Sequence, residues 1–509
     1  MDIFGSLLGG FATALSPVNL LYAGIGVLLG TAIGVLPGIG PALTISLLLP
    51  ITFSLDPVAA FIMFGGIYYG AMYGGSTTSI LVNAPGESAS VVTSLDGYQM
   101  AKNGRAGAAL ATSAIGSFVA GTLATLGLMI FATILVQQAV KLGPPEYFAI
   151  MIVALSAVTS LSGTSAPKAV FATLLGLALG LVGLDNQTGQ LRLTYGIDAL
   201  EEGIDVVLGA IGLFALSEVF WYAATLHSQE EHRETIRGSV WMTMDEFRRS
   251  VPAWLRGSGI GFFIGALPGA GATVASFISY AVEKRVSKHK SQFGKGAIEG
   301  VAAPEAANNA AAGGHLVPLL GLGIPGSGTT AVMLAAFQIY GLQPGPLLFS
   351  TRPDLVWGLI ASLYIANVML LVLNLPLVGI WVKLLDIPKP LLFAGITVIS
   401  AVGVYSLNRN AFDLVVVFVL GVMGFLMKRY EFPLAPVILG IVLGPLIDNN
   451  LRRGMIMTDG NFLTLLTRPG TLVILAVAVL FLVLPFAVRI YGRARGRPDL
   501  ATLAEASEG

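Results

Sequence analysis

Cysteine is absent from the 509-residue chain, which excludes disulfides and thiolate metal sites. Histidine is scarce: His227, His232, His289 and His315 are scattered, with no metal-ligand spacing. Charge is scarce too. Only 11% of residues are charged, where a soluble chain carries about 25%. The formal net charge is zero, so nothing points to nucleic acid as a partner. No Lys or Arg precedes Lys102, and the first twenty residues therefore lack the basic n-region of a secretory signal. No Gly-x-x-x-x-Gly-Lys-Ser/Thr is present, which argues against ATP-driven transport by this chain. No Ser/His/Asp or two-carboxylate arrangement stands out, so an enzyme is not expected.

What fills the chain is apolar. Hydrophobic residues make up 55%, mean hydropathy is +0.81, and the apolar stretches 106–138, 203–226, 355–385 and 470–492 are long enough to cross a hydrocarbon core of about 30 Å. Their continuity predicts helices, because barrel strands would alternate apolar and polar residues. The expected fold is an all-α polytopic membrane protein with about 10–14 membrane segments. The longest polar stretches, 227–256 and 284–300, are too short for a soluble catalytic domain. The charged cluster 228–249 reads as a solvated loop or a surface-lying helix, with Trp241, Phe247 and Trp254 as interface anchors.

Glycine and proline carry the pattern. Gly26, Gly30, Gly34, Leu36, Pro37, Gly38 and Gly40 recur as Gly257, Gly261, Gly265, Leu267, Pro268, Gly269 and Gly271, all at one offset (268 − 37 = 231). Five glycines matching at a fixed offset have a chance probability of roughly 10⁻⁵. A second pair of breaks, Asn83-Ala84-Pro85-Gly86 and Gly323-Ile324-Pro325-Gly326, and a looser match of Phe148-Ala149 with Phe393-Ala394 extend the duplication. Two homologous halves follow: residues 1–226 and 257–450, joined by a linker at 227–256 and followed by a terminal helix and tail at 451–509. A Pro-Gly break at membrane depth survives only when buried in protein or facing a watery cavity. Paired breaks in two halves are the usual pointer to a transporter's binding site.

Basic residues concentrate at 227–256, 284–295 and 489–497, which the positive-inside rule places in the cytoplasm together with the C-terminus. The segment 257–283 must then leave the cytoplasm and return, as a re-entrant hairpin broken at Leu267-Pro268-Gly269. The equivalent hairpin at 26–53 has no basic flank and is expected to open on the periplasmic side, making the halves inverted repeats.

Several residues beside the breaks carry chemistry. The Gly26-Gly30-Gly34 ladder alone is a helix-packing pattern. Pro37-Gly38-Ile39-Gly40-Pro41 and Pro268-Gly269-Ala270-Gly271 exceed any packing need, and N–H groups at Gly38, Gly40, Gly269 and Gly271, placed at helix starts, suit an anion. Ser76, Thr77 and Thr78, answered by Ser327, Thr329 and Thr330, supply hydroxyls for carboxylates. Oxygen atoms around Asn83, Pro85, Gly86, Pro325 and Gly326, with Glu305, Asn308 and Asn309, suit a coupling Na⁺ or H⁺. Pro304-Glu305 also reads as a plain helix start, and His315 as a satisfied interior residue. Asn309→Ala is expected to abolish uptake with membrane expression intact.

The combination Gly34-Val35-Leu36-Pro37-Gly38-Ile39-Gly40-Pro41, Tyr73-Gly74-Gly75-Ser76-Thr77-Thr78-Ser79, Asn83-Ala84-Pro85-Gly86, Pro304-Glu305-Ala306-Ala307-Asn308-Asn309-Ala310 and Gly323-Ile324-Pro325-Gly326-Ser327 resembles the large TctA-type membrane subunit of the tripartite tricarboxylate transporters. The resemblance runs from about residue 15 to 450. It implies a bacterial inner-membrane carrier driven by a Na⁺ or H⁺ gradient, importing citrate or other small organic acids. It further implies a small TctB-type membrane subunit and a periplasmic TctC-type solute-binding protein as partners. A carrier of another family working without a binding protein, or a passive channel, is the alternative. All these expectations require the breaks at Pro37 and Pro268 to converge.

Overall fold

The computed structural model describes residues 3–36, 39–83, 86–161, 165–185, 187–225, 241–269 and 271–494, with side chains to 483. Pro37, Gly38, Pro85 and Ala270 lie outside the described residues. The described chain is all-α and polytopic, with one two-stranded antiparallel hairpin. Seven of its helices are long and apolar enough to cross a membrane, and six shorter apolar helices accompany them.

The chain forms α1 (Ile3–Ala14), α2 (Pro17–Gly34), α3 (Pro41–Thr52), α4 (Pro57–Leu81), α5 (Val91–Lys102) and α6 (Ala106–Ala139). Next come α7 (Pro144–Leu161), α8 (Ala166–Gly180) and strands β1 (Gly183–Leu184) and β2 (Leu191–Arg192). Helix α9 (Val206–Ala210) passes through a π-helical turn into α10 (Ser217–Ala224). Then follow α11 (Met244–Gly265), α12 (Gly271–Val286), α13 (Glu299–Leu322), α14 (Gly328–Ile339), α15 (Pro346–Thr351), α16 (Pro353–Asn374) and α17 (Val378–Lys383). The last are α18 (Lys389–Asn408), α19 (Ala411–Arg429), α20 (Ala435–Met457), α21 (Phe462–Thr467) and α22 (Pro469–Ala494).

These elements make two compact units. The larger joins residues 1–139 to 205–426, and the smaller joins 140–204 to the chain from 427 onward. In the smaller unit α7 packs on α20 and α22, and α8 on α20. There Arg192 and Arg452 both pair with Asp185 and Asp448, pinning the β-hairpin to α20.

The larger unit is built around α4 and α13, which are buried along almost their whole lengths. Both are rich in Gly, Ala, Ser and Thr, which let other helices approach their backbones closely. A Cβ built on Gly26, Gly30 or Gly34 of α2 would stand 2.3–2.5 Å from the carbonyl oxygens of Met63, Ile67 and Ala71 on α4. Gly257, Gly261 and Gly265 of α11 meet Ala303, Ala307 and Ala311 of α13 in the same way, at 2.2–2.5 Å. The neighbouring contacts are reciprocal as well: α6 packs on α13 and α16 on α4, while α3 packs on α14 and α12 on the segment leading into α5. Because the obstructing atoms at Gly261 are backbone, Gly261→Val is expected to cost about 3 kcal/mol or more. Thermal unfolding of purified protein checks this, with Gly259→Ala, where a Cβ meets nothing within 4 Å, expected to be neutral.

Within the apolar stretch 355–385, α16 is the membrane-length helix; it ends at Asn374 and a new helix begins at Val378, because Pro376 has no N–H to continue the ladder. Of the charged cluster 228–249, residues up to 240 lie outside the described residues; from Thr243 a Thr243–Glu246 capping box starts α11, whose first two turns are largely exposed. Arg249 of this helix pairs with Glu299 and Arg256 with Glu283. Two expectations need correction. Trp254 is no interface anchor, since it is buried with its indole N–H donated to the Thr112 carbonyl (3.1 Å). Finally, Pro304-Glu305 is not a helix start. Helix α13 begins at Glu299, and Pro304 lies inside it.

Candidate functional site

Four short helices begin where the chain is broken. Helix α3 follows the break at Leu36–Gly40 and α12 the break at Leu267–Ala270. The break after α4 leads through a 3₁₀ turn, Ser88–Ser90, into α5, and the break after α13 leads into α14. The ends of α13 and α14 at that last break are fully defined. Gly323 takes a left-handed conformation (φ +72°), and the Ile324 N–H closes back on the Pro318 carbonyl (3.1 Å), a Schellman-type stop. Ser327 and Thr330 then cap α14 reciprocally. That cap leaves the N–H groups of Gly328 and Thr329 as the open donors of the first turn. Gly40 caps α3 with no side-chain bond, and Pro41 at the first position has no N–H.

The helix starts come together. The Tyr340 hydroxyl beyond α14 bonds the Thr52 carbonyl at the end of α3, and the Tyr340 ring lies 6.0 Å from Phe53, so the C-terminal ends of these two packed helices coincide and they run in the same direction. The Ser88 and Thr273 hydroxyls are 3.0 Å apart, and Tyr280 bonds Asp96 at 2.9 Å, so α12 and the 88–102 segment are likewise parallel. The breaks touch one another. Gly269 N–H donates to the Gly326 carbonyl (2.9 Å), and a Cβ on Gly86 would stand 2.1 Å from the Gly34 carbonyl oxygen. Four helix N-termini therefore face one region, and Gly269 spends its N–H inside it. At Gly271 (φ +66°) a Cβ would meet nothing within 4 Å.

Polar side chains of α4, α5, α6 and α13 line the same region. Thr93 donates to Glu305, and Ser113 reaches its second carboxylate oxygen at 3.4 Å while bonding Ser76 at 2.7 Å. Glu305 is fully buried, and Glu87, just past the break after α4, packs against Gly75 of that helix. Asn309 donates to Ser117 Oγ (2.6 Å) and to the Glu305 carbonyl (3.1 Å). Asn308 is different: it is fully buried, and neither its amide oxygen nor its nitrogen has a hydrogen-bond partner among the described residues. A small polar recess beside these groups is lined by Tyr73, Ser76, Thr77, Ser113 and Asn374. Thr78 turns its hydroxyl to the Gly75 carbonyl (3.2 Å), Pro325 is buried at the α13–α14 break, and Asn83 is exposed in a left-handed conformation.

Glu87, Tyr68, Thr93, Ser113 and Ser117 go unnamed by the sequence reading. Glu87 has a signal that could have found it, since it follows Pro85-Gly86 directly in a stretch otherwise free of charge. Thr93, Ser113 and Ser117 have none, because hydroxyls on apolar helices look like ordinary packing residues. No cluster of three or more His, Asp or Glu suited to a metal occurs among the described residues.

Known proteins resemble the chain over most of its length. A family model described as "Tripartite tricarboxylate transporter TctA family" matches residues 20–439. An Agrobacterium vitis protein, "Uncharacterized 52.8 kDa protein in TAR-I ttuC' 3'region", is 49% identical over 481 residues, covering 94% of this chain and 95% of that protein. A second from the same organism, "Uncharacterized protein in TAR-II ttuC' 3'region", is 48% identical over 209 residues, 41% of this chain and 86% of that protein. No solved structure matches.

Proposed function

We propose that this chain, which belongs to the tripartite tricarboxylate transporter TctA family, imports a small organic acid by binding its carboxylates where four helix N-termini converge. The family is one of transporters, so the chain moves a solute rather than catalysing a reaction, and membership removes a carrier of another family from consideration. The convergence carries the reading. Each helix start offers N–H donors that its own helix cannot use, plus the positive end of its dipole. An anion is the ligand such a place favours. Open donors at Gly40, Gly271 and Thr329, with the Thr77 hydroxyl, supply hydrogen bonds around citrate or another carboxylate.

Two carboxylates, Glu305 fully buried and Glu87 partly so, stand close to an anion site. Their mutual repulsion and their repulsion of substrate are relieved by a bound Na⁺ or H⁺. The Asn308 amide oxygen supplies a neutral ligand without adding charge. Cation binding then favours the substrate-competent state, which couples uptake to the gradient. The reciprocal packing of α2–α4 and α11–α13 supports two related halves, read here as inverted repeats in the bacterial inner membrane, and the basic residues at 489–497 favour a cytoplasmic C-terminus. The partners are a small TctB-type membrane subunit and a periplasmic TctC-type binding protein.

Uptake tests this. Membrane vesicles carrying the chain with its two partner subunits are given radiolabelled citrate and a panel of mono-, di- and tricarboxylates under imposed Na⁺ or proton gradients. Saturable uptake that needs both a gradient and the binding protein is expected. Non-saturable flux indifferent to the gradient would make the protein a passive channel and overturn the reading.

A further inference from the structure

His315 occupies a place that a satisfied interior histidine does not. It is 1% exposed on α13, directly beneath the break before α14, where a Cβ on Gly326 would stand 3.1 Å from the ring's Cδ2. Its Nδ1 lies 2.6 Å from the Tyr68 hydroxyl of α4, and that hydroxyl lies 3.3 Å from the Ser327 Oγ that caps α14. Three segments therefore hold one ring edge. The opposite nitrogen, Nε2, is bonded to Cδ2 and so sits beside the break. It is buried and has no hydrogen-bond partner among the described residues.

The neighbours allow one arrangement of protons in which Nδ1 accepts. Tyr68 has one proton, and its shorter bond is to Nδ1. The Ser327 hydroxyl can supply the longer one, giving a chain from Ser327 O–H to Tyr68 O–H to Nδ1. Nδ1 then accepts, so a neutral imidazole carries its proton on Nε2. A buried N–H without an acceptor is costly to a folded protein.

We propose that His315 Nε2–H donates a hydrogen bond to a carboxylate of the transported acid, with Tyr68 as the positioning residue that fixes the proton there. The inference rests on the anion-site reading above and adds a side-chain contact to the backbone donors. The substrate class is an organic acid with an acceptor oxygen that reaches past the α14 start toward α4.

Asparagine and glutamine separate the two nitrogens. In His315→Asn the amide ends near the Nδ1 position, so Tyr68 keeps a partner and Nε2 is lost. In His315→Gln the amide nitrogen reaches the Nε2 position and can donate. Binding of radiolabelled citrate, or of the best carboxylate of the panel, is measured on the purified membrane protein, with vesicle uptake as second readout. Kd is expected to rise about 10- to 100-fold in His315→Asn, the loss of one hydrogen bond to a charged group. His315→Gln is expected to bind within about 3-fold of the unaltered protein and to keep its uptake, as a transplanted donor predicts. Tyr68→Phe should weaken binding several-fold with His315 present and add nothing in the His315→Gln background.

Unchanged affinity in His315→Asn overturns the inference. So does a His315→Gln protein as defective as His315→Asn, which would make the ring a proton carrier or a packing element, since an amide cannot relay protons. If the unaltered protein shows neither saturable binding nor uptake of any carboxylate, the functional reading itself falls, and that result appears before any variant is made.

Discussion

Asn308→Ala is expected to reduce gradient-driven uptake about 100-fold, the equivalent of a charge-assisted contact near 2.7 kcal/mol, while leaving the protein folded and at least as stable. The sign of the stability change is what makes this substitution informative. Asn308 is fully buried with both amide atoms unpartnered among the described residues. Such a group destabilises the fold by about 1–3 kcal/mol through its lost hydration. Alanine removes that cost and leaves only a small cavity. A residue kept for stability would behave in the opposite way. Uptake normalised to protein in the membrane, with thermal unfolding of the purified protein, reads both quantities. Normal uptake would remove Asn308 from the transport site. Lower stability would show that its amide has a structural partner.

Asn309 provides the contrast. Its nitrogen is committed to Ser117 and to the Glu305 carbonyl, tying α13 to α6. Alanine there is expected to lower uptake and stability together.

The two asparagines also show what the sequence carries and what it conceals. Paired amides in an Ala/Gly run stand out because such a helix has no surface to present them to. Which of the two is free depends on whether a serine of another helix, Ser117, lies opposite, and that is long-range packing. The breaks were legible for a local reason: Pro and Gly in sequence report backbone that cannot stay helical. Helix α13 was harder. Glu299, Glu305, Asn308, Asn309 and His315 lower its hydropathy, so it falls outside the seven long apolar helices although it is among the most deeply buried. Hydropathy measures compatibility with lipid, and α13 is surrounded by protein instead. The same reasoning explains Arg249 and Arg256, which stand in sequence as unpaired charges of the basic segment 227–256. Their partners Glu299 and Glu283 lie 50 and 27 residues away, too far along the chain to be recognised as pairs.

Glu305→Gln is expected to abolish concentrative uptake, with about 100-fold less accumulation under a gradient, because it removes a charge that a coupling cation would neutralise. The fold should tolerate it. Glutamine has nearly the same shape, and the Thr93 and Ser113 hydroxyls that now face the carboxylate can rotate to accept from an amide. Exchange of internal for external substrate, which needs no net cation movement, should persist at a reduced rate. Linkage supplies the sharper readout. If substrate and cation bind with positive coupling, substrate affinity at high cation exceeds that at low cation by a factor typically about 5–150. In Glu305→Gln that ratio should fall to one, whichever cation is varied. A variant that still accumulates substrate, with its affinity still rising as Na⁺ or H⁺ is raised, would place the coupling charge elsewhere. Glu87, the other carboxylate at the convergence, would then be the group to replace. Reciprocity makes the test strict: whatever sensitivity the substrate loses toward the cation, the cation must lose toward the substrate.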